Sequence, residues 1–249
     1  MKEFDTTALK EAKEEQVFAY LAEAEAPNWM ALESNPQFGH HWVVYFLERK
    51  QFISPEQIRL LYRTKSLTQS YAVNRALVRC KFTPVGIAAN LISLLRWLDL
   101  LNVLRQPYIS GGLKSKIEKQ IMDRFPRMAV GEKTVLAKQA PRGLIRQLRL
   151  QPDPRVIKAL FTNYFFTLDD AAFLANYPRI SQEILVELAN CAKWTQHKRM
   201  RMDLLSNPKL PAGAITPLLR GLTSYDVRQI LQKPGISPAV KQRLKRMNM

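Results

Sequence analysis

Apolar residues along this 249-residue chain fall in short blocks at helical spacing, and most blocks open on the same signal. The signal is an apolar residue, then Ser, Thr or Asp, often followed by Pro. It reads Ile53-Ser54-Pro55, Phe82-Thr83-Pro84, Ile109-Ser110-Gly111, Pro152-Asp153-Pro154, Ile180-Ser181-Gln182 and Ile236-Ser237-Pro238. A small side-chain oxygen there accepts from a first-turn N–H that has no partner within the helix. Proline suits the next position, because it lacks that N–H and its φ is already helical. The apolar residue ahead of the cap is placed to pack one turn on, as Ile53 with Ile58, Phe82 with Ile87 and Ile180 with Leu185. Leu210-Pro211 keeps the proline without the oxygen, so that helix is expected to start less firmly.

Successive starts are mostly 26 to 30 residues apart, which fits one longer helix, a turn and a second short helix per unit. The second helix is expected to open at a recurring acid, Asp99, Asp170 or Asp226, which would cap it and sit at the positive end of its dipole. Pro107, Pro178 and Pro234 end it. The interval from Ser110 to Asp153 is longer by about half a unit. It is broken by Pro126, Gly131 and Pro141-Arg142-Gly143, so an inserted helix is expected there. Ahead of all this, residues 6–26 read as a helix with a stripe of Val17, Tyr20 and Leu21, which caps the stack or folds its glutamates over a basic surface.

The units are copies. Residues 83–119 lie without a gap on 210–246, so that Pro84, Gly86, Leu91, Asp99, Leu104, Pro107, Ile109, Ser110 and Lys114 fall on Pro211, Gly213, Leu218, Asp226, Leu231, Pro234, Ile236, Ser237 and Lys241. A shorter copy matches Asp170, Pro178, Ile180 and Ser181 to Asp99, Pro107, Ile109 and Ser110. The expectation is an all-α, right-handed α-solenoid of two-helix repeats. An acidic capping helix would occupy 1–30 and a single basic repeat domain 31–249, with the irregular unit near 120–150. No apolar run is long enough to span a membrane and no secretory signal opens the chain, so a cytoplasmic location is expected.

Leu205-Ser206-Asn207-Pro208-Lys209-Leu210-Pro211 and Leu32-Glu33-Ser34-Asn35-Pro36 carry a further likeness. With the two-helix period, they make residues 30–249 resemble the HEAT-like and leucine-rich-repeat-variant α-helical repeats. The resemblance implies a binding scaffold. Some HEAT-like alkylpurine DNA glycosylases act through Trp, Asp and Arg, which directs attention to Trp97 and Asp99. A residue present in every copy is a cap before it is a catalyst, however, so Asp99 is read as structural. The cysteine cluster that holds iron–sulfur in some variant-repeat proteins has no counterpart in Cys80 and Cys191.

Charge supplies the functional hint. The chain carries a net +17, with 5 Lys/Arg against 9 Asp/Glu in residues 1–50 and 33 against 12 beyond. Basic residues gather at Lys114, Lys116 and Lys119, then Arg142, Arg146 and Arg149 on one helix face. Lys198, Arg199 and Arg201 follow, and Lys241, Arg243, Lys245 and Arg246 close the chain with no acid after Asp226. Lys114, Lys116 and Lys119 are equivalent to Lys241, Arg243 and Arg246, so the repeats should point them alike. His40 and His41 diverge on a helix and no phosphate loop, metal motif or nucleophile elbow is present, so neither a cofactor nor catalysis is expected. The reading is a non-enzymatic module that engages nucleic acid, DNA or RNA, through its phosphates. An acidic protein partner and a glycosylase-like enzyme are the alternatives. Few exposed aromatics can be assigned from sequence, which argues against a platform for stacking single-strand bases.

Overall fold

A computed structural model of the chain describes residues 6–247, and these contain helices and turns but no strand. Packing divides the chain into a first compact unit that ends at Pro126 and a second that begins at Arg127. The described part of the first unit holds α1 (Thr6–Glu11), α2 (Glu14–Glu23), α3 (Trp29–Glu33), α4 (His40–Arg49), α5 (Pro55–Arg63), α6 (Lys65–Thr68), α7 (Tyr71–Arg79), α8 (Val85–Leu91), α9 (Trp97–Leu104) and α10 (Gly111–Arg124). The second holds α11 (Val130–Gln139), α12 (Arg142–Leu148), α13 (Pro154–Phe161), α14 (Leu168–Asn176), α15 (Gln182–Asn190), α16 (Ala192–Thr195), α17 (Lys198–Ser206), α18 (Ile215–Leu218), α19 (Ser224–Gln232) and α20 (Pro238–Met247).

The two series correspond helix for helix. At a shift of 127, α6 and α7 coincide end for end with α16 and α17, and α10 begins where α20 does. Ahead of the α4 C-terminus the shift is 128, because α4 has ten residues and α14 nine. Buried positions follow the same register: Val43, Phe46 and Leu47 fall on Ala171, Leu174 and Ala175, and Ile58, Leu61 and Leu67 on Leu185, Leu188 and Trp194. The irregular interval near 120–150 therefore contains α11 and α12, the counterparts of α1 and α2 in the acidic leader. What reads as an insertion is the second copy beginning again.

Within each unit, helices pack on partners close by in the chain. In the first, α2 lies on α4, α4 on α7, α7 on α8 and α9, and α8 and α9 on α10. In the second, α11 lies on α13, α13 on α15, α14 on α17, and α17 on α18 and α19. Most of the written starts are used. Ser54, Ser110 and Ser181 accept from Gln57, Leu113 and Ile184 N–H at 3.3 Å each, and Asp153 accepts from Arg155 N–H at 2.9 Å. Thr83 departs from the pattern. Its hydroxyl donates to Leu77 O at 2.6 Å, a carbonyl in the last turn of the preceding helix, and α8 starts from Pro84 without a capping oxygen. Leu210-Pro211 leads only into a 3₁₀ turn, Ala212–Ala214, before the four-residue α18, in line with the less firm start expected of it.

Three of the buried asparagines, Asn35, Asn163 and Asn207, close the ends of α1, α11 and α14. Asn35 donates to Leu9 O and Ala12 O, both at 2.9 Å, while its own oxygen accepts from Gln37 N–H. Asn163, at the equivalent place, donates to Ala137 O at 2.7 Å and Ala140 O at 3.0 Å and accepts from Phe165 N–H. Asn207 donates to Ala175 O at 2.6 Å and accepts from Lys209 N–H. Each amide satisfies carbonyls that helix termini leave open and shapes its own turn. Replacing Asn163 by Ala leaves two buried carbonyls without a donor. The variant is expected to lose about 2–3 kcal/mol of stability by urea titration, against a few tenths for an exposed Asn176→Ala control.

Candidate nucleic-acid interface

The recurring acids stand one turn inside their helices. α9, α14 and α19 begin at Trp97, Leu168 and Ser224, and the aspartate is the third residue of each. In α14 and α19 a threonine precedes the helix, and the carboxylate reaches back to it. Asp170 accepts from Thr167 N–H at 3.0 Å, and Asp226 accepts from Thr223 N–H at 2.8 Å. Asp99 has Arg96 in the threonine's place and instead accepts from the Tyr71 hydroxyl, with Arg75 at 3.9 Å.

Each acid also joins the beginning of its helix to the beginning of an earlier one. Asp170, wholly buried, takes Arg142 on one oxygen and Arg149 on the other, the latter at 2.8 Å. Arg149 stacks over Phe173, with its guanidinium carbon 3.8 Å from the ring centre. Asp226 takes Lys198 at 2.9 Å. Burial alone would raise the Asp170 carboxyl, but the Thr167 backbone, Arg142 and the Thr167 hydroxyl outweigh it and hold it below the usual range. Lys198, then the Thr223 hydroxyl and backbone, lower Asp226 to about 2. In the first unit, the places of Arg149 and Asp170 belong to Leu21 and Trp42, both apolar and buried. One scaffold thus accepts an apolar pair or an ionic centre at the same point.

These links align the beginnings of α12, α14, α17 and α19 along one edge of the second unit. α14 and α17 run parallel, since Asn207 just past α17 reaches Ala175 near the end of α14. Asp169 and Arg199, near their beginnings, line one cleft of about 410 Å³. Arg142 ties the edge further by donating to Phe165 O at 3.2 Å.

The excess charge sits in this unit. Residues 1–126 hold 17 Lys/Arg against 13 Asp/Glu, whereas residues 127–249 hold 21 against 8. The sequence candidates separate into two kinds. Arg149 and Arg201 are directed inward: Arg201 donates to Thr195 O at 2.6 Å and Gln196 O at 3.1 Å, closing the end of α16. Arg142 and Lys198 hold carboxylates yet keep 41% and 51% of their side chains in solvent. Lys116, Lys119, Arg146, Arg199, Lys241, Lys245 and Arg246 are exposed without a protein partner among the described residues, and Lys114 is half-buried. Arg243 donates to Thr216 Oγ1 at 3.3 Å beside a cleft that Arg246 also lines. Of Glu11, Glu14, Glu15, Glu23 and Glu25 in the leader, Glu14 lies 2.8 Å from His41 Nε2, within hydrogen-bond reach.

Aromatic side chains stand on the same edge. Tyr164 is 91% exposed and Phe165 49%, in the turn before α14, and Tyr225 is 68% exposed in the first turn of α19. Sequence offers no sign of this, because Phe166, the next residue, is buried against Trp194. Among the described residues no group of three or more His, Cys, Asp or Glu gathers as metal donors, and no helix is long and apolar enough to cross a membrane. Comparison with protein-family models, with curated proteins and with solved structures finds no match.

The Asp226 pair makes stability depend on acid. Its folded carboxyl lies below the unfolded value of about 4, so its contribution is complete above that value and is lost as pH falls through about 2. Thermal melts by circular dichroism should show the wild type losing stability on acidification through this window. Asp226→Asn should be less stable at neutral pH and flatter across the same range.

Proposed function

We propose that this chain is a non-enzymatic binding module, an α-solenoid of the HEAT-like kind, that engages nucleic acid through its phosphates. The observation that carries the reading is α20. Lys241, Arg243, Lys245 and Arg246 are all exposed on it, only Arg243 has a partner among the described residues, and no acid follows Asp226. Val240 and Leu244 are buried, so the apolar positions hold the helix to the fold while the cations face water. α10 likewise carries Lys114, Lys116 and Lys119 around buried Leu113 and Ile117, here with Glu118 and Asp123 on the same helix. A surface built this way gains affinity by releasing the counterions condensed on a polyanion, and such contacts position a chain without reading its bases.

Two features support the solenoid and non-enzymatic parts of the reading. Packing of each helix on partners close in sequence, repeated in two units, is the pattern of stacked-repeat proteins. Asp170 and Asp226 are committed to a capping threonine and a cation, and Asp99 to Tyr71, which leaves none of them free as a base facing substrate. A chain of this composition also fits the cytoplasmic setting read from its sequence.

Fluorescence anisotropy with a labelled oligonucleotide across a salt series tests the proposal. Affinity should fall log-linearly with salt. Replacing Lys241, Arg243, Lys245 and Arg246 by Ala together should weaken binding at low salt and reduce the slope by about 3. Absence of binding at low salt would replace this reading with a scaffold for an acidic protein.

A further inference from the structure

The duplicated fold provides its own control for deciding which surface residues the architecture requires. At the beginnings of α12, α14, α17 and α19 the second unit places Arg142, Tyr164, Phe165, Lys198, Arg199 and Tyr225. The corresponding positions of the first unit hold Glu14, Pro36, Gln37, Tyr71, Ala72 and Leu98. Both units have the same order of helices and the same buried register, so the fold forms without either the cations or the exposed rings. Their joint presence on one edge of one unit calls for another explanation.

Exposure of these rings is not a packing requirement. Tyr164 and Phe165 touch each other edge to face, with ring centres 5.3 Å apart, yet Tyr164 remains almost wholly in water. The turn that presents them is fixed from beneath: Asn163 accepts from Phe165 N–H at 2.8 Å, and Arg142 holds Phe165 O. Tyr225 is presented with equal firmness, since the next residue is the buried Asp226 in its Thr223 and Lys198 contacts. Rigidly held, solvent-facing rings between cations form a surface on which unpaired bases stack while the backbone meets Lys and Arg. A duplex hides its base faces and would leave the rings unused. The counter-charges here are Asp169 and Asp203, which share a cleft with Arg199; Asp170 and Asp226 are buried.

We infer that this edge binds single-stranded nucleic acid, with bases on Tyr164, Phe165 and Tyr225 and phosphates against Arg142, Lys198 and Arg199. The inference rests on the nucleic-acid reading above and narrows it to unpaired strands. It is the reverse of what composition alone implies about aromatics, because exposure rather than number decides whether a ring can stack.

The test is anisotropy of the full chain with one labelled oligonucleotide, free or annealed to its complement, at the same low salt. The single strand should bind more tightly than the duplex. Tyr164→Ala with Phe165→Ala, and separately Tyr225→Ala, should each weaken single-strand binding on the order of tenfold and leave the salt slope unchanged. Tyr225→Phe should retain the wild-type affinity, since the ring and not the hydroxyl stacks. Because these side chains lie outside the core, unchanged thermal melts are expected of every variant. A duplex bound as tightly as the strand, or Ala variants that bind like wild type, would overturn the inference while leaving the phosphate-binding reading in place. If neither oligonucleotide binds, both fall together.

Discussion

Every helix here is short enough that its ends matter more than its middle. Among the described residues they run from four residues in α6, α16 and α18 to fourteen in α10. A helix leaves four N–H groups and four carbonyls unpaired, so most backbone groups in such elements must find partners elsewhere. The fold is organised around that demand. Ser54, Ser110, Asp153 and Ser181 serve the starts, and Asn35, Asn163 and Asn207 serve the ends. Even long cations are drawn in, as where Arg124 donates to Leu95 O and Ser93 O and Lys209 to Pro178 O. Short helices do not hold themselves together, and packing against close neighbours together with these end contacts supplies what propensity lacks.

That accounting separates structural polar residues from those available to a partner. Asp170, Asp226, Arg149 and Arg201 are conspicuous by charge but satisfy backbone groups or one another. Once they are set aside, the cations on α10, α20 and the α12–α19 edge are among those left in water. The same separation applies to the repeated aspartates: Asp170 and Asp226 cap their own helix starts, and Asp99 holds the Tyr71 hydroxyl.

Much of the fold was legible in sequence because capping chemistry is local. A serine before a proline declares its helix within a few residues, and the shift of 127 was visible across residues 83–119, where identities survive. Its extension through the whole chain was hidden, because equivalent positions exchange chemistry: Leu21 and Trp42 become Arg149 and Asp170. Asn163 escaped notice because Tyr, not Pro, follows it, although its hydrogen bonds match those of Asn35. The cations were legible by type but not by direction. Arg201 acts on carbonyls only five and six residues away, and nothing in its spacing from Lys198 distinguishes it from a surface arginine. The aromatic edge was not legible at all, since Tyr164, Phe165 and Phe166 are consecutive and only the fold decides which of them is buried.

The duplication gives the functional account its sharpest form: two units with one architecture, of which the second carries Arg142, Tyr164, Phe165, Lys198, Arg199 and Tyr225 where the first has Glu14, Pro36, Gln37, Tyr71, Ala72 and Leu98. Ultraviolet cross-linking of a single-stranded oligonucleotide to the full chain, with the attached peptides mapped by mass spectrometry, tests this most directly. The account predicts cross-links within residues 127–249, centred on the turn with Tyr164 and Phe165 and on Tyr225. Cross-links confined to residues 6–126, or none above background, would contradict it.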